Sequence, residues 1–356
     1  MNRAVLVDGT NIDGFLSKYN VITCKLRNSR IKSKQLGIME MLLSNYDLDI
    51  IFIKNGPLSD VKGIVSFFVK KENWDEVQNR LKNIGYFNEF YFLDFDSIEQ
   101  SNDTKIETIN PLIWKGKKYS LKKLYIQDEK IYDTQSPHNR EFKIVSFDGV
   151  EKQLTGYRGN GTEFGRRALP VEDARCLVNL SMPHNEKKII EPFAGGGGIV
   201  YMYKYINPDI DITSIDIDET LKPGLEFYGS KHIVGSSANV HLSEKYDAIV
   251  TEVPFSDNAT EQVINSFTNL YNNLTDKGII VLMCGKNQSK EISDCFSRDL
   301  NSNLIFSREL NRKGTDVVIQ IWTKNFELKK EFMGTRHIFS SVFETNLLYY
   351  LRQPAG

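Results

Sequence analysis

Apolar positions recur with two rhythms along this chain, and the change between them divides it. Between residues 20 and 95, short strand-type runs alternate with amphipathic stretches. Residues 21–26 read as a strand, residues 32–45 as a helix with Leu36, Met39, Leu42 and Leu43 on its apolar side, and residues 48–53 as a second strand. Residues 63–69, a helix near 74–84 and residues 89–93 repeat the theme. Strand, helix, strand, strand, helix, strand is the split βαβ order. Residues 96–110 are polar and aperiodic, as a linker is. Short β-like runs follow at 123–126 and 142–147, with the turn signal Asp148-Gly149, and suggest a small β subdomain.

From about residue 168 helices and strands alternate. A helix is expected over 171–180, after Pro170 and with Glu172 and Asp173 in its first turn, where the helix dipole favours acids. Strands follow at 188–190, 212–215, 232–234, 248–250 and 278–283. A last pair, 304–307 and 316–322, is joined through 311–314 as a hairpin. Parallel strands alternating with helices imply an open, doubly wound sheet whose ligand lies at the carboxyl ends of the strands. The expected organisation is an N-terminal α+β domain over 1–100, a linker and small β subdomain over 101–156, an α/β domain over 157–330 and a C-terminal extension over 331–356.

Composition narrows the class. The chain has 356 residues, 40% hydrophobic and 26% charged, enough for two cores. No apolar run is long enough to span a membrane and the start shows no signal-peptide hydrophobic region, so the expected location is the cytoplasm. Four cysteines without a CxxC pair and five dispersed histidines indicate neither a disulfide framework nor a metal site. Net charge is −1, which makes no global case for nucleic acid. Residues 105–190 hold 16 Lys and Arg against 11 Asp and Glu, a modest basic segment that suits a solvated surface or a polyanion equally.

The chemistry concentrates at strand ends. Ile189-Ile190-Glu191-Pro192-Phe193-Ala194 leads into four glycines, Gly195 to Gly198, before a helix. Glycines there admit a ligand close to the backbone and to helix N-terminal N–H groups. The GxGxxG register of a dinucleotide site is missing, because Val200 and Tyr201 stand where its last glycine belongs. Asp216 and Asp218 close the next strand; Asp216 suits the two hydroxyls of a ribose, and Asp218 suits capping the following helix. A later strand ends in Glu252-Val253-Pro254-Phe255. Glu252 can hold an amine or hydroxyl nucleophile and take its proton while Phe255 stacks on a planar substrate; the plainer alternative is a capping acid and a core aromatic.

These segments resemble the class I methyltransferases, and within them the RNA guanine-N2 methyltransferases that carry an N-terminal RNA-binding module. The resemblance runs over about residues 157–325. Residues 166–180 look like the helix preceding the first strand, Glu191 to Gly198 are similar to the Asp-Pro-Phe-Cys/Ala-Gly-x-Gly cofactor loop, and Ile215 to Asp218 to the ribose-binding strand end. The fold class implied is α/β, a Rossmann-like methyltransferase domain beside a smaller ferredoxin-like domain. The cofactor implied is S-adenosylmethionine, held by Glu191, Phe193, Ala194, Gly195, Gly197, Asp216, Ile217 and Ser237. Ser237 is expected to substitute for the acid that contacts the adenine amino group in the family. Glu252, Pro254 and Phe255 stand where the family has Asp/Asn-Pro-Pro-Tyr/Phe and are the catalytic candidates. Arg158, Arg166 and Arg167 are expected to touch phosphates of a structured RNA such as tRNA or rRNA. A small metabolite or peptide is the alternative substrate, and a non-catalytic, cofactor-binding partner subunit the third reading.

Overall fold

The computed structural model describes residues 16–27, 31–53, 56, 63–94, 112–114, 117–124, 142–147, 150–155, 169–185, 188–312 and 314–333. The chain divides into two compact units, residues 1–127 with 330–356, and residues 128–329. The polar segment at 96–110 and the three candidate phosphate contacts Arg158, Arg166 and Arg167 lie outside the described residues.

In the first unit β1 (Tyr19–Leu26), α1 (Ile31–Ser44), β2 (Ile51–Ile53), β3 (Ile64–Lys70), α2 (Trp74–Leu81) and β4 (Phe87–Asp94) follow the order read from the pattern. β1 lies between β3 and β4, antiparallel to both, which is the ferredoxin-like arrangement β2-β3-β1-β4. Two further strands, β5 (Leu112–Trp114) and β6 (Lys117–Leu124), continue this sheet from the outer edge of β4. Part of the expected joining subdomain therefore belongs to the first sheet, because the open edge of β4 offers unpaired backbone groups that β6 satisfies. β2 starts later than the pattern suggests: residues 46–48 form a 3-10 turn and Asp49 is left-handed, at φ 52°. Two buried polar contacts tie this unit together. Thr23 and Ser66 share a hydroxyl hydrogen bond of 3.0 Å across β1 and β3, and Glu40 on α1 accepts the N–H groups of Gly85 and Tyr86 at 2.6 and 2.9 Å.

The second unit contains a two-stranded antiparallel ribbon, β7 (Phe142–Phe147) and β8 (Val150–Thr155); the Asp148-Gly149 turn signal lies outside the described residues. The main body comprises α3 (Val171–Leu180), β9 (Lys188–Glu191), α4 (Gly198–Ile206), β10 (Asp211–Asp216), α5 (Lys222–Phe227), β11 (Lys231–Val234), β12 (Tyr246–Glu252), α6 (Thr260–Tyr271), β13 (Leu274–Gly285), α7 (Ser289–Asp294), β14 (Asn303–Arg312) and β15 (Thr315–Thr323). A final helix, α8 (Phe326–Met333), runs across the boundary between the units. The seven strands are ordered β11-β10-β9-β12-β13-β15-β14. Pairing is parallel from β11 through β13, and β15 is antiparallel to both of its neighbours. Helices cover both faces of the parallel part, which is why Ile189, Ile190, Ala248, Ile249, Val250 and the run Ile279 to Met283 are all fully buried and show no alternation. Strand order reverses between β9 and β12, and a crevice at such a switch point opens at the carboxyl ends of the strands.

Candidate functional site

β9 delivers Glu191 to this crevice, and the chain then turns through Pro192 to Gly197 before α4 begins. Gly195 at φ +48° and Gly197 at φ +79° adopt left-handed conformations that glycine reaches without a Cβ penalty. Their surroundings differ. A Cβ on Gly197 would stand 3.0 Å from Leu225 and Tyr228, whereas one on Gly195 would meet nothing within 4 Å. Gly195 thus borders open space, and Gly197 allows the loop to approach α5 closely.

The loop is fastened to the end of β10 by its backbone. Ala194 donates to the Ile215 carbonyl at 3.0 Å, and Gly195 N–H donates to Asp216 Oδ2 at 2.8 Å. Asp216 Oδ1 accepts Asp218 N–H at 3.0 Å, and its carbonyl accepts Gly235 N–H at 2.8 Å, so one residue joins the tips of β9, β10 and β11. Asp218 does other work: its carboxylate accepts Thr220 N–H at 3.1 Å and the Thr220 hydroxyl at 2.6 Å, capping the turn at 219–221. Beside Asp216 stand two large apolar residues that remain in water, Ile217 at 61% exposure and Val234 at 43%. An exposed apolar pair next to a carboxylate and an open glycine backbone can receive the flat base and the hydroxyls of a nucleoside.

Ser237 does not belong to that crevice. It is 2% exposed, and its hydroxyl donates to Ser266 Oγ on α6 at 2.9 Å. The expectation that it contacts an adenine amino group is corrected: burial turns the hydroxyl toward α6. Ser236 is the more accessible serine at this strand end, and its Oγ accepts Ala238 N–H at 3.4 Å.

Glu191 is 2% exposed, and among the described residues its Oε2 has no hydrogen-bond partner. Burial drives its carboxyl well above the usual carboxylate range; a backbone hydrogen bond from Val200 opposes this, and the nearby charges of Asp216 and Glu252 add to it. Phe193 is partly buried and packs against the core beneath the sheet, while Ala194 is buried.

At the end of β12, Glu252 is an ion-pair partner as well as a strand tip. Arg312 Nη1 donates to its Oε1, and Arg312 Nε donates to Asp173 Oδ2 on α3 at 3.0 Å. Burial raises the Glu252 carboxyl, and the Arg312 charge and hydrogen bond pull it back down. The following loop is clamped by Gln288, which is 1% exposed. Its amide donates to the carbonyls of Pro254 and Ser256 at 2.9 and 3.0 Å, and its Oε1 accepts Gly285 N–H at 3.1 Å. Pro254 is exposed and Phe255 half-buried, so the ring is neither sealed in the core nor fully in water. Arg312 and Gln288 escaped the sequence reading, because nothing local marks a residue 60 positions from Glu252 as its partner.

The strand ends therefore bring Glu191, Gly195, Asp216, Ile217 and Glu252 to the same edge of one sheet. The order of its strands, written by position in the chain, is 3-2-1-4-5-7-6, with the seventh antiparallel. The second unit is a Rossmann-like α/β domain, a doubly wound parallel sheet closed by an antiparallel strand pair. No family model matches the chain. A tRNA (guanine(10)-N2)-dimethyltransferase of Methanothermobacter thermautotrophicus is 32% identical over 123 residues, which are 31% of this chain and 36% of that protein. The chain thus matches about a third of the length of that curated relative. Among solved structures, TrmN from Thermus thermophilus aligns at a TM-score of 0.40 and 11% identity, covering 59% of this chain and 57% of that one. M. jannaschii TYW2 in complex with AdoMet aligns at 0.36 and 14% identity, covering 57% and 90%. A TehB-like SAM-dependent methyltransferase from Corynebacterium glutamicum aligns at 0.35 and 18% identity, covering 43% and 87%.

Proposed function

We propose that this chain is an S-adenosylmethionine-dependent methyltransferase that acts on a nitrogen of a base in structured RNA such as tRNA. The observation that carries the cofactor half is the hydrogen bond from Gly195 N–H to Asp216 Oδ2, which sets the glycine turn and the ribose carboxylate side by side at the switch point. The residues present fit the cofactor. Asp216 places a carboxylate, an acceptor of the kind ribose hydroxyls need, beside the open backbone of Gly195. Ile217 and Val234 offer apolar walls for the adenine. The orphaned Glu191 Oε2 suits the ammonium of the amino-acid end, whose charge would compensate the buried carboxylate.

When bound, S-adenosylmethionine supplies an electrophilic methyl group on a sulfonium. The chain's own residues present the nucleophile. Glu252 accepts a hydrogen bond from the substrate nitrogen and orients its lone pair, Phe255 stacks on the ring that bears it, and Gln288 holds the loop carbonyls out of the way. The tRNA half of the proposal is supported by the likeness to the Methanothermobacter tRNA (guanine(10)-N2)-dimethyltransferase, which covers about a third of that protein. The first unit and the basic stretch at 105–190, with Arg158, Arg166 and Arg167, are proposed to hold the phosphate backbone.

The test uses the full chain with S-adenosylmethionine carrying a labelled methyl group, offered to RNA from a strain lacking this protein and, separately, to RNA-free extract. Label in RNA, falling steeply with added salt, supports the proposal. Label only in the RNA-free fraction moves the substrate to a metabolite or peptide. Cofactor binding by calorimetry with no transfer to either pool assigns a non-catalytic subunit.

A further inference from the structure

Arg312 ends β14 and carries a guanidinium that joins two carboxylates from distant parts of the second unit. Asp173 comes from the first turn of α3 and Glu252 from the end of β12, so three elements meet at one cation. The side chains are 22% exposed for Arg312, 10% for Asp173 and 23% for Glu252. A cluster this dry is a poor stabiliser, since apolar residues of equal volume serve at least as well, so its place at the reactive edge calls for another reason. Among the described residues, Glu252 Oε2 has no hydrogen-bond partner, while Oε1 is taken by Arg312.

We propose that Arg312 is the positioning residue for Glu252: it fixes one carboxylate oxygen and leaves the other to accept an N–H of a neutral amine nucleophile. This rests on the methyl-transfer reading for what the amine then does. The chain has glutamate where the resembling motif has aspartate or asparagine, one methylene longer and with more rotamers to lose. A guanidinium that draws the longer arm toward β14 removes that freedom before substrate arrives. Charge selects the nucleophile. Two carboxylates against one guanidinium leave one net negative charge. Such a field favours an N–H group that gains positive charge as its nitrogen is alkylated and repels a nucleophile that is already an anion. The groups around Glu252 are Arg312 from β14, Asp173 through it from α3, Glu191 from β9, and the uncharged Met283 from β13, whose sulfur lies 3.7 Å from Arg312 Nη1.

The test is a carboxyl 13C NMR titration of full-length protein labelled at glutamate, with the Glu252 resonance identified by its loss in E252Q. In R312Q the two influences that hold the carboxyl down disappear, so its midpoint moves up. In D173N a competing carboxylate is removed, so the midpoint moves down. Opposite shifts support the proposal; a midpoint unmoved in both variants, or moved the same way in both, overturns it. In methyl transfer to unmodified tRNA, R312Q is expected to lose about 10²-fold in kcat. Its acid limb moves to higher pH, while S-adenosylmethionine binding stays within about twofold. Wild-type protein that methylates no RNA overturns the function reading and the amine assignment with it, while the titration still decides whether Arg312 positions Glu252.

Discussion

On the proposed reading Glu191 couples stability to cofactor binding, and replacing it by glutamine should push the two in opposite directions. The carboxylate is 2% exposed, and among the described residues one of its oxygens has no hydrogen-bond partner. A buried polar group left unpaired costs about 1–3 kcal/mol, and more when it is charged. Glutamine keeps an oxygen for Val200 N–H and removes the charge, so E191Q should recover about 1–2 kcal/mol of that cost at neutral pH. For a unit of this size each kcal/mol raises Tm by about 2–4 °C. The sign with pH follows from the direction of the shift. Because the folded carboxyl lies above its unfolded value, the chain is most stable where Glu191 is protonated and loses stability as pH rises through the folded value. The advantage of E191Q should therefore be small near pH 5 and grow toward pH 8, read by scanning calorimetry of ligand-free protein. With S-adenosylmethionine added the order reverses, since glutamine cannot pair with the ammonium; the loss is expected at about 1.5–3 kcal/mol, or 10- to 150-fold in Kd. A Tm for E191Q at or below wild type at every pH would refute the claim that this carboxylate is buried and uncompensated. Unchanged affinity would refute its part in holding the cofactor.

Three further substitutions separate the roles assigned at the strand ends. D216A should abolish measurable S-adenosylmethionine binding in calorimetry, a loss of at least 10²-fold on the order of two charge-assisted hydrogen bonds, because it removes the ribose acceptor and releases the Gly195 and Asp218 amides together. S237A should change cofactor Kd by less than about twofold and cost about 1 kcal/mol of stability in denaturant titration, the signature of a lost buried hydrogen bond to Ser266. Q288A should leave cofactor affinity intact, while kcat on RNA falls by about 10²-fold as the loop at 254–256 loses its clamp; a change in KM alone would argue against that role.

Much of this molecule is local and therefore readable in order along the chain. The period of apolar positions decided which stretches become strands and helices, since a buried parallel strand needs an unbroken apolar run and β9, β12 and β13 each supply one. Glycines placed after an acid-ended strand marked the crevice, because left-handed turns and close backbone approach need a residue without a Cβ at Gly195 and Gly197. The capping role of Asp218 was also legible from its place just before the turn at 219–221. Tertiary structure alone decided the rest. Whether β6 stands in a separate subdomain or extends the first sheet depends on which edge is left unpaired. The Ser237 hydroxyl could point to the crevice or to α6, and packing of the helix chose the second. The pairing of Glu252 with Arg312 and Asp173, and the clamp of Gln288 on the loop after β12, join residues that have no relation along the chain. Hydrophobic periodicity is set by neighbours three or four positions away, whereas a buried charge takes its partner from whatever strand or helix the fold lays against it.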